Sequence, residues 1–326
     1  MIICKTPFRL SLFGGGTDFP KYYMKNGGYV VGGTIDKYCY VTARHLPNVF
    51  SYKHRIVWSK NETVNKISDI VHPTVQSVFK LLKIKKGLEI HYQGDLQKNS
   101  GLGTSSSFCV GLLNSLGALE NKYYSKKELA TKAIFVEQNM LKENCGSQDQ
   151  IWASYGGFNY IQFKNNGSFL VNKINLPEKI LNYFNDSTFS VYTEINRFSN
   201  DVEKDKLLNI DKNIKYLDQI KNITLEFIKE INNKFSLKNF GYMLNDYWEL
   251  KKKLSNKVSN IKINEIYKTS IECGALGGKV IGSGGGGFIL FCCEKKNQSK
   301  FKKNLRKLPI IKFKFINEGS QIIFNK

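Results

Sequence analysis

Three times the chain gives up side chains, and each time it does so between a segment patterned as a strand and one patterned as a helix or a second strand. The stretches are "FRLSLFGGGTDFP" (residues 8–20), "NSGLGTSSSF" (99–108) and "KVIGSGGGGFILF" (279–291). Glycine is the residue for backbone that must adopt positive φ or must let a ligand approach closely, and inside an element each one costs roughly 0.5–1 kcal/mol relative to alanine. Four consecutive glycines, Gly284 to Gly287, exceed what a plain hairpin needs. Any fold for this chain therefore has to place three flexible corners. Either they are tight turns, or they are backbone laid against a ligand.

The segments around these corners narrow the choice. Pro20 suits the first position of a helix, which makes Thr17 or Asp18 the expected N-cap and sets a carboxylate at a strand-to-helix corner. In the second stretch Gly101-Leu102-Gly103 runs into Thr104, Ser105 and Ser106, which open an apolar helix with Phe108, Leu112, Leu116 and Leu119 at helical spacing. Unpaired N–H groups and the positive end of the helix dipole there make an anion site suited to a polyphosphate, the alternative being a serine-capped buried helix. It is neither a G-x-x-x-x-G-K-[ST] loop nor a G-x-G-x-x-G fingerprint.

Two acids lie apart from the lysine-rich surface. Ser125 to Glu128 forms a capping-box pattern that opens a helix expected over 126–144. On it Glu137 falls beside Ala133, Met140 and Leu141, either paired with a neighbouring lysine or serving as a Mg²⁺ ligand. Asp149 falls in the first turn of a short helix begun by Ser147, where the dipole favours its ionised form; a plain helix-start Asp is the alternative. A phosphate cradle, a hydroxyl with a carboxylate for Mg²⁺, and a separate Asp are together the parts that phosphoryl transfer requires.

With 326 residues the chain can build two cores, and 41% apolar composition rules out a mainly disordered protein. Lys5 and Arg9 interrupt the first segment, and runs such as Phe288 to Cys293 are too short to cross a bilayer, so a soluble cytoplasmic protein is expected. Seven cysteines without a C-x-x-C pair, and four histidines without ligand spacing, read as reduced core residues and ordinary histidines. The net charge of +22 raises nucleic acid and anionic membranes as partners. However, the lysines are scattered through amphipathic helices, as in Lys251-Lys252-Lys253 and Lys302-Lys303, and read as solvated faces. Neither partner is expected; small anionic substrates would gain from the field, and a homodimer is admitted.

Strands are expected at 2–13, 29–35, 38–45, 88–92, 158–163 and 168–174, with a helix at 71–83, in a first domain over 1–178. Past Pro177 the pattern gives strands 188–194, 279–282, 287–293 and 310–316, helices between 200 and 275, and a helix over 297–307. That is an α+β unit of the split βαβ type, over 179–326.

"PFRLSLFGGGTDFP", "NSGLGTSSSF", "ENCGSQDQIWASYGGFN" and "KVIGSGGGGFILF", in this order, resemble the motifs of the GHMP kinases, the superfamily of galactokinase, homoserine kinase and mevalonate kinase. Within it they are most similar to bacterial kinases that phosphorylate D-glycero-D-manno-heptose 7-phosphate at its anomeric oxygen; fucokinase-type domains carry a similar first motif. The resemblance implies an N-terminal β-α-β domain with a left-handed crossover and a ferredoxin-like C-terminal domain. It implies ATP wrapped by Gly101, Leu102, Gly103, Thr104, Ser105 and Ser106, and Mg²⁺ on Ser105 and Glu137. Asp149 would orient the sugar's 1-hydroxyl and accept its proton, with Arg9 neutralising the transferring phosphoryl group. Gly15, Gly16, Thr17 and Asp18 would grip the sugar, Gly284 and Gly285 would close over it, and Arg197 would clamp its 7-phosphate. The product would feed nucleotide-heptose and surface-polysaccharide synthesis. Gln97-Lys98 stands where many relatives have a proline, and Thr104 replaces a more usual serine. Other readings are a fucokinase- or galactokinase-like enzyme, or a sugar- and ATP-binding regulator without turnover.

Overall fold

The computed structural model of the chain describes residues 1–98, 100–195, 199–233 and 235–326. Its first strand, β1 (Ile2–Phe13), alternates buried and half-buried residues up to Lys5 and is buried without a break from Thr6 to Phe13. The change of pattern marks where the strand leaves an ordinary sheet face and enters the seam between two units. The first unit continues through α1 (Pro20–Asn26), β2 (Gly28–His45), β3 (His54–Val57), β4 (Asn61–Val64), α2 (Pro73–Leu82), β5 (Leu88–Gly94) and α3 (Thr104–Leu119). It closes with α4 (Lys126–Ile134), a π-helical turn over Phe135–Met140, α5 (Gln148–Tyr155), β6 (Phe158–Phe163) and β7 (Phe169–Lys173).

The two strands expected at 29–35 and 38–45 are one strand, β2. Its first part pairs with β6 and its later part with β5, while β1 runs along the opposite edge with two register shifts. A Cβ on Gly32 would lie 2.3 Å from the Leu10 carbonyl oxygen, so glycine is needed there for close backbone approach. Strands β3 and β5 are parallel, which requires a crossover, and β4 with α2 supplies it.

The second unit runs α6 (Glu178–Ser187), β8 (Thr188–Tyr192), α7 (Ser199–Leu208), α8 (Ile214–Asn233), α9 (Leu237–Lys253), α10 (Ile261–Glu272), β9 (Ala275–Val280), β10 (Phe288–Cys293), α11 (Gln298–Asn304) and β11 (Ile310–Ile311). Its antiparallel sheet has the order β11-β8-β10-β9, the split βαβ arrangement expected for this half. The expected strand over 310–316 shortens to two residues plus a bridge between Ile35 and Phe315. The last strand, β12 (Gln321–Asn325), crosses the boundary expected at 178 and adds to the outer edge of β1.

The units share a core. The Phe13 ring at the end of β1 meets Phe227 of α8 at 4.7 Å and Phe240 and Tyr247 of α9 at 5.9 and 5.6 Å. Fully burying one such side chain contributes about 1.5–3 kcal/mol, and three aromatic partners hold the glycine corner that follows it. Among the described residues no helix is long and apolar enough to cross a membrane.

Candidate active site

The glycine corner after β1 does not cap α1 as expected. The N-cap of α1 is Phe19, without a side-chain bond, and Asp18 turns the other way. Its Oδ1 accepts from the Gly16 N–H (2.9 Å) and its Oδ2 from the Gln148 N–H (3.3 Å), so Asp18 serves the start of α5, where Ser147 was expected to cap. Gly146 makes this docking possible, since a Cβ there would lie 1.9 Å from Asp18 Oδ2. Burial pushes the Asp18 carboxyl up to about 6, the Gly16 hydrogen bond opposes this, and the nearby Asp149 charge adds to it. Thr17 does not face the site. Its hydroxyl donates to the carbonyls of Gly14 (2.8 Å) and Tyr29 (2.9 Å) and is consumed in building the corner.

The second corner is tied directly to β1. The Arg9 N–H donates to the Leu102 carbonyl (3.0 Å), and Arg9 Nη1 donates to the Gly101 carbonyl. Leu102 is itself buried and packs inward. Gly103, at φ +74°, is the N-cap of α3 and has no side chain to occupy the first-turn N–H groups, so Thr104, Ser105 and Ser106 present them to the cavity below.

Arg9 and Asp149 form a two-point ion pair: Nε to Oδ1 at 2.7 Å and Nη2 to Oδ2 at 2.5 Å. It lies against Gly103, where a Cβ would stand 3.0 Å from Arg9 Cγ and 3.3 Å from Asp149 Oδ2. The pair fixes the plane of the carboxylate and leaves each oxygen a further lone pair.

The helix expected over 126–144 ends at Ile134 and widens into the π turn, which swings Glu137 inward until it is 1% exposed. Its Oε2 accepts from Ser106 Oγ (2.8 Å) and from Gln150 Nε2, and its Oε1 has no partner among the described residues. The serine bonded to Glu137 is thus Ser106, while the exposed Ser105 lines the cavity beside it. Burial raises the Glu137 carboxyl to about 8, with the charge of Glu143 adding to the rise and the Ser106 and Gln150 bonds opposing it.

Arg9, Gly15, Gly16, Asp18, Gly101, Gly103, Thr104, Ser105, Ser106 and Asp149 line one cavity of about 320 Å³ between the two units, and Glu137 stands behind it, bonded to the lining residues Ser106 and Gln150. The third glycine corner reaches it one step earlier than expected. Gly282 and Ser283 line it, and a Cβ on Gly282 would sit 2.7 Å from Gly101 Cα. Gly284 and Gly285 instead turn against Val258, whose carbonyl accepts from the Gly285 N–H (2.6 Å). Arg197 lies outside the described residues. The sequence reading missed Ser11, whose Oγ donates to Gln148 Oε1 (2.8 Å), and Tyr247, whose hydroxyl donates to the Gly15 carbonyl (3.3 Å). It also missed three buried lysines on the second unit's wall: Lys206, Lys251 and Lys279. Lys251 had a visible signal, because it continues the buried row Leu244, Tyr247, Trp248 of α9 instead of the solvated face its neighbours form.

Residues 69–157 match the N-terminal domain of the GHMP kinases, and residues 227–310 match their C-terminal domain. A D-glycero-alpha-D-manno-heptose 7-phosphate kinase from Campylobacter jejuni is 30% identical over 97% of this chain and 96% of its own length. The chain belongs to the GHMP kinases. A galactokinase from Pyrococcus furiosus is 23% identical to this kinase, over 90% of the chain and 89% of its own. Among solved structures, one described as a D-glycero-D-manno-heptose 1-phosphate kinase from Bacteroides thetaiotaomicron superposes with a TM-score of 0.82 at 23% identity and covers 100% of both chains. A Lactococcus lactis galactokinase complexed with galactose gives 0.75 at 19% identity over 98% of the kinase and 94% of that chain. At these identities both report the fold.

Proposed function

We propose that the kinase transfers the γ-phosphoryl group of ATP to the anomeric hydroxyl of a sugar phosphate, D-glycero-D-manno-heptose 7-phosphate, giving the 1,7-bisphosphate and ADP. The observation that carries this reading is the Asp149 carboxylate, locked by Arg9 at two points and set between the loop 101–106 and the corner 15–18 in one cavity. The sugar is supported by the Campylobacter relative, 30% identical over nearly its whole length. The Bacteroides protein is described as a heptose 1-phosphate kinase, and at 23% identity it bears only on the fold.

Phosphoryl transfer leaves little covalent chemistry to the protein, so positioning and charge dominate. The loop 101–106 and the first turn of α3 cradle the nucleotide phosphates with backbone N–H groups. Asp149 accepts a hydrogen bond from the anomeric hydroxyl through a lone pair that Arg9 leaves open, and takes its proton as that oxygen bonds to phosphorus and ADP leaves. Arg9, already against the loop through Gly101, faces the negative charge that develops on the transferring group. Asp18, Gly15 and Gly16 hold sugar hydroxyls.

The residues also fit Mg²⁺. A buried carboxylate with one oxygen unmatched among the described residues, beside hydroxyls and a phosphate cradle, suits a cation bound through one protein carboxylate and the nucleotide's own oxygens. Ser105 and Glu137 would hold it, with Ser106 orienting Glu137. When bound, the ion neutralises charge on the phosphates.

A panel of sugars and sugar phosphates with Mg-ATP, followed by ADP release, tests the proposal. Turnover with heptose 7-phosphate is expected; turnover confined to unphosphorylated hexoses would make the enzyme galactokinase- or fucokinase-like.

A further inference from the structure

The second unit's wall brings an acid into the cavity that phosphoryl transfer as described above does not use. Helix α7 carries Glu203 and, one turn later on the same face, Lys206, and both line the cavity. The start of this helix is tied to the loop before α5 by a hydrogen bond from Asn144 Nδ2 to Asn200 Oδ1 (3.0 Å), so α7 spans the cleft next to Asp149.

Lys206 sets the direction of the Glu203 carboxylate without satisfying it. Its Nζ donates to Oε1 at 3.4 Å and stands 3.3 Å from Oε2, and it is itself held by the Ser283 carbonyl (2.6 Å). Oε2 is buried and poorly aligned with the ammonium, and it has no hydrogen-bond donor among the described residues. A buried acceptor in that condition calls for a partner. The charge of Glu203 also reaches the corner that the first unit gives to the sugar. Burial raises the Asp18 carboxyl to about 6, and the charges of Asp149 and Glu203 add to the rise. The hydroxyl of Tyr247, which is bonded to Gly15, is raised by burial first and then by Asp18 and Glu203.

Three carboxylates thus serve one cavity, Asp18 and Asp149 from the first unit and Glu203 from the second. An ionised carboxylate accepts hydrogen bonds and donates none, so whatever meets Oε2 has to be a donor. A phosphate group there would face the carboxylate's own charge. A metal ion does not fit, because among the described residues no three His, Cys, Asp or Glu side chains are gathered to hold one. Neutral hydroxyl groups remain, and the acceptor carries several.

Resting on the acceptor class assigned above, we infer that Glu203 is a specificity residue whose carboxylate, aimed by Lys206, accepts hydrogen bonds from ring hydroxyls of the sugar on the second unit's side while Asp18 serves them from the first.

Glu203→Gln, in the full chain, is assayed by ADP release with the acceptor varied at saturating ATP and with ATP varied at saturating acceptor. The amide keeps the size of the side chain and loses its charge. The acceptor's kcat/KM is expected to fall about 10–100-fold, the range for a lost hydrogen bond to a charged group, with the ATP KM unchanged. If Glu203 only neutralised Lys206, the sign would be opposite: the cavity would become more positive, and ATP and a charged acceptor would bind as well or better. That result, or equal losses against both substrates, overturns the inference. Acceptors lacking the hydroxyl at C2, C3 or C4 give a check in the wild type that needs no variant to fold. At least one should lose about tenfold or more in kcat/KM, and that penalty should shrink in Glu203→Gln. Equal turnover of all three in the wild type, or a penalty of the same size in the variant, contradicts the contact. If the wild type turns over only unphosphorylated sugars, the acceptor assignment falls, and Glu203 is tested on the sugar accepted, since ring hydroxyls are common to both. If heptose 7-phosphate is turned over and its kcat/KM holds in Glu203→Gln, only this inference falls. If no sugar is turned over, both fall.

Discussion

At the residue scale the account rests on two carboxylates that behave differently. Asp149 is held flat by Arg9 with lone pairs to spare, whereas Glu137 is buried and has one oxygen unmatched among the described residues. Asp149→Asn should lower kcat by about 10²–10⁴-fold, the range for losing a positioned proton acceptor, with nucleotide affinity retained. Near-normal turnover, measured by ADP release, would remove its role. Glu137 gives a pH prediction. Its folded-state pKa is raised from 4.5 to about 8, so between these values the unfolded chain has released a proton that the folded chain keeps. Stability from this group is therefore fully present below about 4.5 and lost as pH rises towards 8, by roughly a few kcal/mol. In chelator, the Tm should fall from pH 5 to pH 8 in the wild type and fall less in Glu137→Gln. Mg²⁺ at pH 8 should restore the wild type and not the variant; identical profiles would show that Glu137 is not the buried titrating group.

At the scale of elements, the site is made where loops dock on one another. Gly146 exists so that Asp18 can reach the start of α5, and Gly103 so that Arg9 and Asp149 can close against the phosphate loop. Gly146→Ala should displace the Asp18 carboxylate and raise the acceptor KM about tenfold or more, with the ATP KM little changed; a larger change in the ATP KM would show that Asp18 belongs to the nucleotide side. Gly103→Ala combines a strained φ of +74° with a tight contact and should cost about 1–3 kcal/mol of stability, read from denaturant midpoints, as well as turnover. Much of this was legible in the sequence. Three glycine corners, the helix opened at Thr104 and the acids at 137 and 149 were visible because turn chemistry and helical spacing are local signals. The direction of Asp18, the π turn that rotates Glu137 and the choice of Gly282 over Gly284 were not, because each is set by a contact with an element more than a hundred residues away or by backbone geometry that no spacing encodes. The merging of β2 is a case of the same kind: the polar pair Asp36-Lys37 looks like a break, and the strand runs through it with a shift of register against β1.

At the scale of the molecule, two units share the core around Phe13 and enclose one cavity. The first unit supplies N–H groups, the carboxylates of Asp18 and Asp149 and the Arg9 guanidinium, and the second supplies three buried lysines together with Glu203. Read as scattered solvated groups, the lysines of this +22 chain concealed Lys251, which belongs to the apolar row of its helix. The overall positive field should also show in kinetics. kcat/KM for a doubly charged acceptor should fall several-fold between low and about 0.5 M salt, while that for an uncharged sugar should change little. Equal salt dependence for both acceptors would place the field's effect on ATP. The central claim, that this cavity delivers phosphate to an anomeric oxygen, is tested most directly by ³¹P and ¹³C NMR of the product formed from heptose 7-phosphate and Mg-ATP. The account predicts a second phosphorus resonance coupled to the anomeric carbon. A new resonance coupled to any other carbon, or ADP formed without a new phosphate ester, would contradict it.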